Sequence, residues 1–129
     1  MKDTTPQTIY LKDYAPYPFI IKDIELTFHL SPNATRVVSR LTVRPQEKSV
    51  IQVMFLHGEQ LELIWCKING MLADPKVSVT GLNVSVPNTE FIFECEVEID
   101  PANNTSLEGL YMSNGMYCTQ CEAEGFRKI

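Results

Sequence analysis

Two carboxylates and an amide stand close together near the end of this sequence. Glu122 and Glu124 follow Gln120 at alternate positions. A carboxylate and an amide oxygen both accept hydrogen bonds, and the carboxylate's charge strengthens a bond from an ammonium group. These residue types therefore indicate a group that could hold an amine.

The cysteines form one closely spaced pair, Cys118 and Cys121, and two isolated residues, Cys66 and Cys95. A Cys-x-x-Cys pair is half of a zinc knuckle, or a redox pair when it opens a helix that lowers a thiol pKa. No helical pattern follows Cys118, and the isolated cysteines are not a second paired motif. We therefore interpret the pair as small, partly buried residues of a β hairpin. A structural zinc site that uses all four cysteines is the alternative.

The other candidate ligands are two histidines and a row of glutamates. His29 and His57 fall on different segments, and neither has an acidic residue at ligand spacing, so they do not form a His-Glu-x-x-His zinc motif. Glu94, Glu96 and Glu98 alternate along one segment, where their like charges need screening by water. We interpret this acidic row as a solvated outer face and keep a cation-binding strip as the alternative. We expect no catalytic residue and no metal ligand in this chain.

Length and charge limit the classes of protein to which the chain can belong. Its 129 residues suffice for one domain with one core. Eleven Lys and Arg against sixteen Asp and Glu give a net charge of −5, which disfavours nucleic acid or an anionic membrane as a partner. No apolar run is long enough to span a membrane, and the first residues lack a signal-peptide pattern. With no secretion signal, we expect a cytoplasmic protein whose thiols are reduced.

Period-two alternation of apolar and polar residues is the dominant pattern of the chain. The clearest example is Thr89 to Asp100, where Phe91, Phe93 and Cys95 share one face and glutamates occupy the other. No segment shows a helical period. The sequence therefore predicts an all-β fold, an antiparallel saddle-like β sandwich of seven to nine strands, as a single domain over residues 1–129.

Turn signals separate the predicted strands. Asn69-Gly70 and Asn114-Gly115 are typical of two-residue hairpin turns. Ile24, Leu26 and Phe28 alternate with polar residues along an early strand that leads into a second strand through a Ser-Pro-Asn turn. After residue 101 the alternation breaks, and irregular segments of this kind often carry function.

Both ends of the chain carry longer runs that are recognisable together. The tail has Leu107 to Tyr111 and Cys118 to Arg127, and the start has Tyr10 to Tyr14 and Asp23 to Leu30. These runs closely resemble the N-terminal β domain of bacterial aminopeptidase N, a zinc metalloaminopeptidase of the gluzincin type. The resemblance spans the chain and is most specific in the tail.

The resemblance implies a fold and a function. In that family a saddle-shaped β domain packs on a thermolysin-like catalytic domain, which binds zinc through a His-Glu-x-x-His helix. Gln120 and Glu122 match the residues that this β domain projects into the active site to bind the free α-amino group of a peptide. The zinc helix and the family's Gly-x-Met-x-Asn substrate loop are absent from these 129 residues.

The implied role is therefore that of a substrate-anchoring domain without catalytic activity of its own. The parent enzyme removes N-terminal amino acids from peptides and holds the zinc, whereas this chain needs no cofactor. The implied partners are the catalytic domain of the same polypeptide and peptide substrates. Apolar surface near Tyr111, Tyr117 and Phe126 is expected to face that catalytic domain.

A second interpretation belongs to a different class of protein. The chain would then be a stand-alone β-sandwich interaction module, with the acidic row or the Cys118–Cys121 pair as its working part. A downstream His-Glu-x-x-His motif in a longer reading frame would distinguish the two interpretations.

Overall fold

The computed structural model describes Thr8, residues 10–46 and residues 52–121. These residues form ten strands and two short 3₁₀ turns, Leu11–Asp13 and Pro101–Asn103, so the prediction of an all-β fold is confirmed. The strands are β1 Phe19–His29, β2 Thr35–Pro45, β3 Val53–His57, β4 Glu62–Ile68, β5 Met71–Leu72, β6 Lys76–Ser78, β7 Gly81–Ser85, β8 Phe91–Ile99, β9 Gly109–Ser113 and β10 Met116–Gln120. The number of strands exceeds the predicted seven to nine. Two of the ten strands are very short, since Met71–Leu72 has 2 residues and Lys76–Ser78 has 3.

The strands pair antiparallel throughout the described residues and form three sheets. The largest has the order β1-β2-β8-β4-β5, the second has the order β3-β7-β6, and the third is the β9–β10 hairpin. Among the residues that the structure describes, none belongs to a helix with the length and apolar character needed to cross a membrane.

The core lies between the five-stranded and three-stranded sheets. Phe91 and Phe93 of β8 are almost fully buried, as the alternation predicted, and they share one cluster with Val43 of β2. Met54 and Val84, opposite each other on β3 and β7, belong to the same cluster. The two sheets therefore form a sandwich whose inner faces are apolar.

A register shift in β1 keeps its apolar residues on the inner face. Ile21 pairs with Val43 and Ile24 pairs with Leu41, with an irregularity between Ile21 and Asp23. Ile21 and Ile24 are three residues apart, so in a regular strand they would point to opposite faces. The extra residue at the irregularity allows both side chains to point inward, because a one-residue slip moves all later side chains to the other face.

The outer face of the five-stranded sheet carries the acidic row. Arg36 Nε donates to Glu98 Oε1 at 2.9 Å, and Arg36 Nη1 lies 3.6 Å from Glu96 Oε1. Trp65 Nε1 donates to the other carboxylate oxygen of Glu96 at 2.8 Å. The hydrogen bond to Glu98 raises the pKa of Arg36. Side chains of the neighbouring strands thus bind Glu96 and Glu98, two of the three glutamates of the acidic row, which favours the outer-face interpretation over a cation-binding strip.

Candidate functional site

The β9–β10 hairpin is the element that positions the predicted amine-binding segment. Its two strands pair from Ser113 opposite Met116 to Gly109 opposite Gln120. Asn114 and Gly115 at the tip both have positive φ, 50° and 78°. These angles are those of a type I′ turn, which suits the twist of two antiparallel strands, so the predicted hairpin is confirmed.

Polar contacts rather than a core hold the base of this hairpin. Asn104 Nδ2 donates to the carbonyl oxygens of Glu108 and Leu110, at 2.9 and 2.8 Å. Asn104 Oδ1 accepts from the backbone N and the hydroxyl of Ser106, at 3.1 and 2.7 Å. No residue of β9 or β10 is fully buried. One amide side chain therefore fixes the loop that begins the hairpin.

A second polar cluster ties this loop to the five-stranded sheet. Asp100 accepts from the backbone and side-chain nitrogens of Asn103 and from the side-chain amide of Asn33. These bonds, that of the Asn103 side chain first, lower the pKa of Asp100. Ala102 N donates to the carbonyl of Pro32 at 2.8 Å. The start of the hairpin loop is thus attached to the turn between β1 and β2.

Gln120 lies at the base of the hairpin. It is the last residue of β10, its side chain is at the surface, and it pairs with Gly109, between the two residues whose carbonyls Asn104 binds. Glu122 and Phe126 lie outside the described residues. Tyr117 is 37% exposed and Tyr111 is partly buried. The structure thus places one of the two predicted substrate-binding residues, at the exposed base of a hairpin.

The cysteines fall into two separate pairs. Cys66 of β4 and Cys95 of β8 are opposite each other and buried in the core. Burial raises the pKa of both thiols. Cys118 is partly exposed on β10, and Cys121 is exposed after it. None of the four forms a disulfide. Among the described residues no three cysteines or other ligand side chains lie together, so this arrangement does not support the four-cysteine zinc alternative.

The described residues offer no place for a zinc ion. They include both histidines and all four cysteines, yet no three His, Cys, Asp or Glu side chains among them lie close enough to hold a metal. His29 is on β1 of the large sheet, whereas the ring of His57 on β3 packs 4.7 Å from that of Phe55. We therefore assign no zinc-dependent step to this part of the molecule.

A groove of about 300 Å³ lies elsewhere on the surface. It is lined by residues of β3, β6 and β7 and of the segment before β6, which are Val53, Asp74, Lys76, Asn83 and Ser85. None of these is on the β9–β10 hairpin. Gln120 is itself exposed and lies outside this groove.

The importance of Asn104 was not recognised from the sequence. The sequence predicts only an irregular segment after residue 101, whereas the structure gives the side chains of Asn103 and Asn104 specific bonding roles. A usable signal was present, since an Asn side chain in a loop often hydrogen-bonds the backbone two residues further on.

The chain is similar to known proteins that share one name, Aminopeptidase N. The chain is 42% identical over its whole length to Aminopeptidase N of Caulobacter vibrioides and 39% identical over 96% of its length to Aminopeptidase N of Escherichia coli. It spans only 15% and 14% of those proteins. No family model matches the chain.

Solved structures agree with this result. The aminopeptidase A of Legionella pneumophila, solved in complex with aspartic acid, matches 92% of the chain with a TM-score of 0.79 and 28% identity. An M1 zinc metallopeptidase of Deinococcus radiodurans matches 76% with a TM-score of 0.63 and 13% identity, which shows a shared fold. The chain covers 14% and 25% of those two structures. In sequence and in fold, this chain therefore matches an N-terminal domain of aminopeptidase N.

Proposed function

We propose that this chain is the substrate-anchoring N-terminal domain of a zinc aminopeptidase, with Gln120 and Glu122 as the residues that bind the free α-amino group of a peptide. The observation that carries the proposal is the position of Gln120, exposed at the base of a hairpin that polar contacts hold against the main sheet. Glu122 follows two residues later in the sequence motif that first indicated amine binding.

The chemistry of an exopeptidase explains why such residues are needed. A peptide ends in an ammonium group only at its N-terminus, so a fixed carboxylate at the end of a cleft favours substrates that end there. The same contact orients the first peptide bond relative to the reacting centre. Gln120 adds a neutral amide oxygen, which makes a weaker bond to the cation than a carboxylate does.

The remaining parts of the proposal concern the longer polypeptide. Residues 1–129 form its single N-terminal β domain, and the zinc and the catalytic residues belong to a catalytic domain of the same polypeptide. The length of the relatives supports this arrangement, since the chain covers about 15% of them. A cytoplasmic location is proposed because all four cysteines are free thiols, as is usual in a reducing compartment.

The test is made in a chimera in which this chain replaces the matching segment of the Caulobacter aminopeptidase N. Removing one partner of a desolvated charge pair costs about 2–5 kcal/mol, so Glu122→Ala should lower kcat/KM about 30-fold to several thousand-fold. Gln120→Ala should have a smaller effect in the same direction. Zinc content should stay the same in both variants, because neither residue is proposed as a ligand.

Thr119→Ala is the matched control, since Thr119 is an exposed neighbour on the same strand. Its kinetics should equal those of the parent chimera. Glu122→Ala with undiminished turnover of peptides that carry a free amine would disprove the anchoring role. A lowered melting temperature with normal kinetics per folded molecule would assign Glu122 a structural role instead.

A further inference from the structure

An apolar row remains exposed along β1 and at the residue that follows it. It consists of Ile24, Leu26, Phe28 and Leu30, and we call it the β1 row. The exposed fractions of these side chains are 58%, 52%, 47% and 54%. Single exposed apolar residues are ordinary, but a contiguous set on one strand face marks a surface that binds another chain segment.

The β1 row is a continuation of the core face and not part of the outer surface. Leu26 pairs with Ser39 and Phe28 pairs with Val37, and paired residues of antiparallel strands point to the same side. Val37 is buried, and Ser39 is opposite the buried Cys95 on β8. The inner face of the large sheet therefore extends beyond the region that the three-stranded sheet covers.

The core stops partway along β1. Phe19 and Ile21 at the start of the strand belong to the core or pack against it, whereas the β1 row does not. The register shift before Ile24 explains why the β1 row lies on the inner face of the sheet. If the strand were paired regularly through this position, the later apolar side chains would lie on the charged outer face, so the irregularity directs them to a side that the described residues leave open.

The end of the β1 row lies near the proposed substrate anchor. Phe28 and Leu30 lead into the turn whose Pro32 binds Ala102, and Asn104 follows two residues after Ala102. Asn104 in turn holds the base of the hairpin on which Gln120 ends. The exposed apolar surface and the anchor thus occupy the same end of the large sheet.

We infer that the β1 row is the surface on which the further part of a longer aminopeptidase polypeptide packs, which brings that part next to Gln120. This inference rests on the proposed function. The occupant is a segment of the same polypeptide, because the relatives contain this domain within chains of which it forms about 15%. Such a segment presents an apolar surface of its own to the β1 row.

A second copy of the chain fits the observations less well. A stable dimer buries roughly 800 Å² on each partner, and four half-exposed side chains supply only part of that area. A segment of the same polypeptide needs less area, because the covalent link removes most of the entropy cost of association.

Hydroxyl-radical footprinting of unmodified side chains tests the inference without a substitution. It compares the 129-residue chain alone with the Caulobacter chimera. Oxidation of Leu26 and Phe28 should fall several-fold in the chimera, because the packed segment excludes water from them. Val79, which is 90% exposed beyond β6, is the internal control and should be oxidised equally in both.

Equal oxidation of Leu26 and Phe28 in the two samples would overturn the inference. Protection in the 129-residue chain that increases with its concentration would also overturn it, since the occupant would then be a second copy. A chimera in which this domain does not pack on the rest of the polypeptide would overturn the inference as well, because the β1 row then does not fit the Caulobacter protein. Failure of the anchoring role is seen separately, in the kinetics of Gln120→Ala and Glu122→Ala.

A pair of substitutions provides a second measurement. Leu26→Glu should lower the melting temperature of the chimera but leave that of the 129-residue chain nearly unchanged, because Leu26 is already half exposed in that chain. Val77→Glu is the matched control, an apolar residue that is 60% exposed on the three-stranded sheet, and should affect neither protein. Equal shifts for both substitutions in the chimera would contradict the proposed surface.

Discussion

The sheet sandwich and the β9–β10 hairpin are stabilised in different ways. In the sandwich, residues such as Phe91 and Phe93 of β8 are 1% and 0% exposed and pack within one apolar cluster. In the hairpin no residue is fully buried, and the side chain of Asn104 holds its base through backbone contacts. Apolar packing therefore maintains the scaffold, whereas a few directional bonds position the segment that carries Gln120.

Under the proposed function, this difference separates the part of the domain that provides stability from the part that would bind substrate. An element held by hydrogen bonds can keep its side chains exposed, which a residue that binds substrate requires. The same element is expected to open more easily than the core, since each net hydrogen bond contributes only about 1 kcal/mol. Packing against a further part of the polypeptide would then stabilise the hairpin in its working position.

The largest effect is expected from Phe93→Ala. Removing a fully buried phenylalanine side chain leaves a cavity and costs about 3–5 kcal/mol, a large part of the stability of a domain of this size. Tyr117→Ala on the hairpin is the control and should cost much less, because Tyr117 is 37% exposed. Urea denaturation followed by circular dichroism measures both. Equal losses would show that the hairpin is part of the core.

A smaller and more local effect is expected from Asn104→Ala. The substitution leaves the carbonyls of Glu108 and Leu110 without their side-chain donor, which costs about 1–3 kcal/mol where those groups are shielded from water. Amide hydrogen exchange should accelerate in β9 and β10 and stay the same in β8. Thr105→Ala is the control, since Thr105 is the exposed next residue of the same loop. Accelerated exchange in β8 would mean that Asn104 supports the whole domain.

The smallest effect is expected from the pH dependence of stability above pH 9. Burial raises the pKa of Cys66 and Cys95 above the ordinary 9.0, so the unfolded chain loses these protons first. Stability is therefore unaffected below about pH 9 and falls as the pH rises further. Urea midpoints between pH 8 and pH 10 measure the fall.

The control for this effect is the double variant Cys66→Val and Cys95→Val. Burial also raises the pKa of Tyr17 to about 12, so ionisation of the unfolded tyrosine adds to the fall near pH 10 in both proteins. The difference between the two proteins isolates the thiols. A double variant with an unchanged pH profile would contradict the assigned cause.

Iodoacetamide at neutral pH should modify Cys118 and Cys121 first, because they are at the surface.

Local patterns were sufficient to predict the strands and their turns. Alternation identified Phe91, Phe93 and Cys95 as inward residues, because side chains of a strand point to opposite faces in turn. Asn-Gly pairs identified both type I′ turns, at Asn69 and at Asn114, because few other residues adopt positive φ at low cost. The tail motif around Gln120 indicated the family that the comparisons then supported.

Only the tertiary structure decided which apolar faces are covered and which polar groups meet. Alternation gives Ile24 and Phe93 the same kind of pattern, yet one is 58% exposed and the other is fully buried. The pairing of Cys66 with Cys95 depends on the register between β4 and β8, and the contacts of Asn104 depend on the path of a loop. Strand periodicity is a property of neighbouring residues, whereas burial and register depend on segments that are distant in the sequence.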